Sequence, residues 1–174
     1  MIQYTSTLPI MSNRASVPPP PGPRLDLAEV LPDVYQAQIR LGRAAAAAFS
    51  ASGLPAALRE LVLMRVSQLN GCAFCLDMHA KDARHAGESE DRLYLLSAWR
   101  ESPHYEPTER AALALAEAIT LVTADHVPDE VWDAAGSVLS PEQLAAIVAV
   151  TVAINGWNRI AISTRMTPGA YQPA

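Results

Sequence analysis

The stretch ELVLMRVSQLNGCAFCLDMH, residues 60–79, holds the groups around which the rest of the chain can be arranged. Both cysteines of the protein, Cys72 and Cys75, form a C-x-x-C motif within it. Glu60 begins the stretch with eleven residues between it and Cys72, and His79 ends it with three residues between it and Cys75. An acid, two thiols and an imidazole at these spacings can form one site if two helices fold against each other.

The same stretch predicts a helical hairpin. Asn70 and Gly71 provide a good end for a first helix, because both residues tolerate the left-handed conformation. A second helix then begins at about Cys72, and an antiparallel arrangement brings Glu60 back toward His79. The apolar residues of the first helix recur at helical spacing: Leu58, Leu61, Val62, Val66 and Leu69.

Length and composition predict one all-α domain. A chain of 174 residues is long enough to bury a core of its own. Alanine, the best helix former, is frequent, whereas runs of β-branched residues are scarce. The Pro-rich residues 1–24 predict an extended N-terminal arm, and residues 25–174 predict a single helical bundle of six to seven helices. The helices are expected at about residues 32–50, 55–70, 72–87, 89–99, 107–122, 128–138 and 141–167.

Charge and hydropathy exclude several classes of protein. The net charge of −5 and the lack of a basic block predict no nucleic-acid binding. The longest apolar run, residues 144–154, is too short to span a bilayer, which takes about 20 residues. No secretory signal is visible, and two closely spaced cysteines are typical of a catalytic or metal-binding pair in the cytosol. We therefore expect a cytoplasmic protein that does not act at a membrane.

The last predicted helix is apolar on more than one face. Such a helix is buried in the middle of a bundle or at a contact between subunits. A homo-oligomer is therefore expected.

The C-x-x-C motif at a helix start favours reactive sulfur. Cys72, Cys75 and His79 lie on one face of a helix that begins at Cys72. Unpaired amides and the helix dipole at the first turn stabilise a thiolate, which is the reactive form of cysteine. At this spacing the two sulfurs can also close to a disulfide.

Glu60 lies among apolar neighbours, so its carboxylate needs a partner from elsewhere. In the hairpin it could orient the imidazole of His79 or pass a proton to it. A base held by an orienting group in this way activates a weak nucleophile.

The same residues leave a second class of function open. Cys72, Cys75 and His79 could supply three zinc ligands, with His85 or Glu60 as the fourth. The protein would then be a helical interaction protein with a zinc clip, or one in which the cysteines serve as a redox switch. By default His85, His104 and His126 are solvated or capping residues, and the three tryptophans, Trp99, Trp132 and Trp157, are core or interface anchors.

The spaced motif resembles the AhpD-like branch of the carboxymuconolactone decarboxylase superfamily. The flanking sequences RELVLMRVSQLNGCAFCLDMHAKDARHAGE (residues 59–88) and LYLLSAWRESPHYEPTERAALALAEAIT (residues 93–120) resemble it too. The resemblance covers roughly residues 54–162. It implies an all-helical fold built on a helical hairpin, and assembly as trimers or hexamers.

The resemblance also implies a thiol peroxidase that reduces alkyl hydroperoxides, or a disulfide reductase, that uses neither metal nor haem. Cys75 would be the peroxidatic cysteine and Cys72 the resolving one, with Glu60 and His79 as the proton relay. The substrate would be a small hydroperoxide, and an external dithiol would be the reductant, in the best-known branch a lipoyl group on a carrier protein. One position departs from the pattern: Phe74 stands where characterised peroxidases often carry a second histidine.

Overall fold

The computed structural model describes residues 21–173. Most of the predicted N-terminal arm, residues 1–20, lies outside the described residues. In residues 21–173 every regular element is helical, which confirms the predicted all-α fold. The elements are α1 (Leu27–Val30), α2 (Pro32–Ala51), α3 (Ala56–Asn70), α4 (Ala73–His85), α5 (Glu90–Leu95) with a 3-10 turn (Leu96–Ala98), α6 (Pro107–Thr120), α7 (Val122–Asp125), α8 (Asp129–Gly136) and α9 (Pro141–Thr164).

The seven predicted helices correspond to α2, α3, α4, α5 with its 3-10 turn, α6, α8 and α9. The four-residue helices α1 and α7 were not predicted, because single turns leave no periodic pattern to read.

Helices α3 and α4 form the predicted hairpin. Gly71 takes the left-handed conformation with φ of 71°, which ends α3 and reverses the chain. Cys72 then acts as the N-cap of α4: its sulfur accepts a hydrogen bond from the amide of Cys75 at 3.3 Å. The turn that folds the hairpin is therefore also the turn that carries the two thiols.

Helix α9 forms the centre of the bundle and packs against α2, α3 and α6. A capping box between Ser140 and Gln143 starts it. It ends at Thr164, a few residues before the predicted end, because Arg165 adopts the left-handed conformation with φ of 57°. Helix α9 is long and apolar enough to cross a membrane. The core helix of a globular protein meets the same two criteria of length and composition.

The apolar side chains of α2 are only partly buried. Ala45 and Phe49 lie in the core, whereas Val34 and Leu41 are exposed. Ala48 is exposed as well. The difference arises because α2 lies at the edge of the bundle, where mainly α9 covers it.

The C-terminal segment, residues 165–173, returns over α4. Lys81 donates to the backbone carbonyls of Gly169 and Tyr171, at 3.4 and 3.0 Å. The amide of Gly169 donates to Asp77 at 3.0 Å, and the hydroxyl of Tyr171 donates to Asp82 at 2.6 Å. These contacts hold the end of the described chain against the outer face of the hairpin.

Candidate active site

The hairpin brings Glu60 of α3 and His79 of α4 into direct contact. Oε2 of Glu60 lies 3.0 Å from Nδ1 of His79. Both residues are buried, with exposed fractions of 3% and 7%. The acid and the imidazole that the sequence placed on opposite arms of the hairpin are therefore neighbours.

Arg59 is a second partner of Glu60 that the sequence did not predict. Its Nε and Nη2 donate to Oε1 of Glu60 at 3.0 and 2.8 Å. Burial by itself raises the pKa of the Glu60 carboxyl, but the hydrogen bonds and charges of His79 and Arg59 outweigh burial and hold this pKa below its ordinary value. Glu60 is therefore ionised near neutral pH.

The ionised carboxylate of Glu60 determines which ring nitrogen of His79 carries the proton. An ionised carboxylate can only accept a hydrogen bond, so Nδ1 of His79 donates to Glu60 and carries a proton. Nε2 of His79 is then the nitrogen that can accept or release a second proton. Nε2 is buried and has no hydrogen-bond partner within residues 21–173. His79 lies one helical turn after Cys75, so the two side chains share one face of α4.

The two cysteines are paired. Cys72 and Cys75 form a disulfide, with their Cα atoms 5.4 Å apart. Both side chains are buried, with exposed fractions of 1%. Both lie at the N-terminus of α4, where unpaired amides and the helix dipole stabilise a negative sulfur once the pair is reduced.

Cys75 faces an apolar cavity of about 190 Å³. A second cavity of about 200 Å³ reaches Glu60 and His79. Met78 and Trp157 line both cavities, so the sulfur side and the imidazole side of the site share a wall. The other residues around the first cavity are Tyr35, Ile39, Phe74, Ala161 and Met166.

Three residues at the site were not predicted to belong to it. Trp157 was expected to be a core or interface anchor, yet it contributes to both cavities. Asp82 lies three residues after His79, a spacing that could have predicted a shared face. Arg59 gave no such signal, because neighbours in a helix do not normally face each other.

Glu60, His79 and Asp82 form a compact group of candidate metal ligands in the described chain, with ligating atoms within 4.8 Å of one another. This group differs from the predicted zinc set, since it contains Asp82 and neither cysteine. The sulfurs of Cys72 and Cys75 are bonded to each other and are not free to bind zinc. Arg59 places its guanidinium on Glu60, and a cation there opposes the binding of a second one. The donor set therefore fits a metal ion poorly.

The remaining predicted candidates lie apart from this group. His85 is exposed at the end of α4, and His104 and His126 are exposed in loops. Trp132 is exposed as well, with an exposed fraction of 44%.

Comparisons with known proteins agree with this architecture. The sequence profile of the carboxymuconolactone decarboxylase family matches residues 32–118. The uncharacterized protein YdfG of Bacillus subtilis (strain 168) is 50% identical over 105 residues, which cover 60% of this chain and 71% of YdfG.

Solved structures share the fold. ATU0492 of Agrobacterium tumefaciens, a protein of unknown function for which a role in antioxidant defence as AhpD has been suggested, has 36% identity and a TM-score of 0.79. The match covers 86% of this chain and 100% of that structure. The debrominase Bmp8 has 23% identity and a TM-score of 0.70, over 82% of this chain and 74% of Bmp8, and this likeness concerns the fold alone.

Proposed function

This chain belongs to the carboxymuconolactone decarboxylase family, in its AhpD-like branch, and from that premise we propose that it is a thiol peroxidase for organic hydroperoxides. One observation carries the proposal: the first two turns of α4 hold the paired cysteines, the apolar cavity beside Cys75 and the buried contact of His79 with Glu60. Cys75 lines that cavity, whereas Cys72 caps the helix behind it.

The first half-reaction oxidises Cys75. Nε2 of His79 takes the thiol proton, and the thiolate attacks one oxygen of the hydroperoxide. The O–O bond breaks, a sulfenic acid forms on Cys75, and the departing alkoxide takes the proton back from His79 as the alcohol forms. Glu60 stabilises the imidazolium while it holds that proton.

The second half-reaction closes and then reopens the disulfide. The thiol of Cys72 attacks the sulfenic sulfur of Cys75, which forms the disulfide and releases water. An external dithiol, such as a lipoyl group on a carrier protein, then reduces the pair by thiol–disulfide exchange and is itself oxidised. Two thiols and one hydroperoxide thus yield a disulfide, an alcohol and water, with neither metal nor haem required.

The cavity beside Cys75 suits the organic part of such a hydroperoxide. Phe74, Met78 and Trp157 offer apolar and aromatic surface, which favours an alkyl or aryl group over water. Phe74 fills the position where a second histidine often lies in characterised peroxidases of the branch. In this protein Glu60 and His79 therefore supply the proton transfers by themselves.

A stoichiometric assay tests the proposal. The reduced protein is mixed with cumene hydroperoxide, and residual peroxide and free thiols are measured. We expect one peroxide consumed and two thiols lost per chain. The Cys75→Ser variant should consume none. The matched Cys72→Ser variant should consume one and stop at a sulfenic acid on Cys75, which dimedone traps.

The opposite result for these two variants would assign the peroxidatic role to Cys72. If neither variant differs from the wild type, the reaction does not use this pair. A third result favours the redox-switch alternative: both thiols are lost and the assembly state changes, but no further peroxide is consumed when a dithiol is added.

We also propose that the chain forms a homo-oligomer, a trimer or a hexamer. Support comes from apolar side chains on α2 and α9 that a single chain leaves exposed: Val34, Leu41, Val152 and Ile162. Large exposed apolar areas mark interaction surfaces. Native mass spectrometry that detects only monomer would contradict the proposal.

A further inference from the structure

Asp82 lies at the outer side of the Glu60–His79 pair. Its carboxylate oxygen is within 4.8 Å of ligating atoms on both residues. Asp82 also lines the cavity that Glu60 and His79 line. It lines a third cavity as well, of about 340 Å³, together with Glu60 and Tyr171. None of the steps proposed above uses this second carboxylate.

Tyr171 holds Asp82 from the C-terminal segment. Its hydroxyl donates to Oδ1 of Asp82 at 2.6 Å. This hydrogen bond, together with burial and the negative charges of Asp82 and Glu60, raises the pKa of Tyr171 to about 12. The hydroxyl therefore remains a donor to Asp82 at any physiological pH.

Among residues 21–173, the other groups around His79 leave Asp82 without a cationic partner in a salt bridge. From α3, Arg59 and Glu60 face the site and neutralise each other. The residues that α2 and α9 contribute to the cavity of His79 are uncharged: Gly42, Ala45, Ala46, Val150, Ala153, Ile154 and Trp157. On α4, Lys81 pairs with Asp77, and His85 is exposed near the third cavity.

We propose that Asp82 is a positioning residue of the proton relay, held by Tyr171, whose negative charge favours the imidazolium of His79 and so the thiolate of Cys75. This inference rests on the proposed use of Cys75 as the nucleophile. The sign follows from distance: Asp82 lies close to His79 but seven residues, or about 10 Å along the helix, from Cys75. Its charge therefore stabilises the imidazolium more than it opposes the thiolate.

The pH profile of Cys75 alkylation by iodoacetamide tests the inference without any peroxide. All variants carry Cys72→Ser, so that Cys75 is the one thiol. Asp82→Asn should move the midpoint of the profile to higher pH by about one unit, because the effect of the charge on the imidazolium is partly screened by water and partly offset by its opposite effect on the thiolate. Tyr171→Phe should move it in the same direction by less.

Asp77→Asn is the matched control. It removes a carboxylate of the same helix and a contact to the same C-terminal segment, but on a different face from His79. Its profile should not move to higher pH. Thermal unfolding of each variant shows whether the fold is kept, and Tyr171→Phe provides the test if Asp82→Asn does not fold.

Two outcomes overturn the inference: an unchanged midpoint in folded Asp82→Asn or Tyr171→Phe, or an equal upward shift in Asp77→Asn. The proposed function fails separately, when the wild type does not consume cumene hydroperoxide. A shifted alkylation profile in a protein that consumes no peroxide would leave the role of Asp82 toward Cys75 intact and reject the peroxidase.

Discussion

Two buried glutamates of this protein, Glu60 and Glu117, are alike in burial and differ in their partners. Their exposed fractions are 3% and 7%. Each accepts hydrogen bonds from an arginine of α3, Glu60 from Arg59 and Glu117 from Arg65. For both, burial raises the pKa of the carboxyl, and the surrounding donors bring it below its ordinary value.

Glu117 is surrounded by donors that cannot take up a proton. Nε1 of Trp99 donates to it at 2.9 Å, Nε of Arg65 at 2.5 Å, and Arg100 donates to the second oxygen. Indole and guanidinium groups keep their protons at all physiological pH values. The cluster therefore ties α3, α6 and the turn at Trp99 together, and it offers no route for a proton.

Glu60 differs because one of its partners is an imidazole, a group that can accept and release a proton. The imidazole of His79 can be neutral or charged, and its other nitrogen has no partner in residues 21–173. A cavity also reaches Glu60 and His79, whereas Glu117 lines none of the cavities described above. A buried carboxylate is thus a functional candidate when a titratable partner and a cavity accompany it, and a structural element when fixed cations surround it.

The largest effect is expected from Glu117→Gln, on stability. The variant leaves the charge of Arg65 buried without its counterion, which should lower the free energy of unfolding by about 3–5 kcal/mol. Urea denaturation measures this, with the exposed Glu101→Gln as control. Peroxide consumption per folded molecule should stay at the wild-type value, and a specific loss of activity would mean that the two glutamates are not as different as their partners suggest.

Glu60→Gln should affect peroxide consumption more than stability. The amide keeps the shape of the side chain but cannot stabilise the imidazolium of His79, so peroxide consumption should slow by about 10–100-fold. Stopped-flow measurement of the reduced protein with cumene hydroperoxide gives the rate. Glu117→Gln, measured at a temperature where it is folded, is the matched control. Equal rates in the two variants would remove the distinction between the sites.

The smallest effect concerns acid stability. Because the pKa of Glu117 is lowered in the folded protein, its ionised form stabilises the fold above the ordinary value of 4.5, and this contribution is lost as pH falls through the lowered pKa. Between pH 6 and pH 3 we expect wild type to lose on the order of 1–2 kcal/mol more stability than Glu117→Gln. Denaturation midpoints across this range measure the difference, and parallel curves would contradict it.

The hairpin and its contents could be predicted because they depend on local rules. Asn70 and Gly71 end a helix through backbone conformation, and the spacing of Cys75 and His79 places both on one face. The contact between Glu60 and His79 then follows from simple geometry of two antiparallel helices. Their catalytic roles remain predictions that the variants above test.

The partners of these groups could not be predicted in the same way. Trp157 reaches the cavity of Cys75 from α9, and Tyr171 reaches Asp82 from the C-terminal segment. No local spacing joins residues that are about eighty to ninety positions apart in the chain. The sequence predicted Trp157 only as a core or interface anchor.

The sequence by itself determined the seven longer helical segments with approximate bounds, and that an acid, two thiols and an imidazole share one hairpin. These features rest on caps and periodicities that act within a few residues. The tertiary structure decided which charges surround each buried carboxylate, and thereby that Glu117 is fixed by permanent cations while Glu60 is coupled to an imidazole. The reason is that hydrogen-bond and ionic partners of buried groups are chosen by proximity in space, which only the packed fold defines.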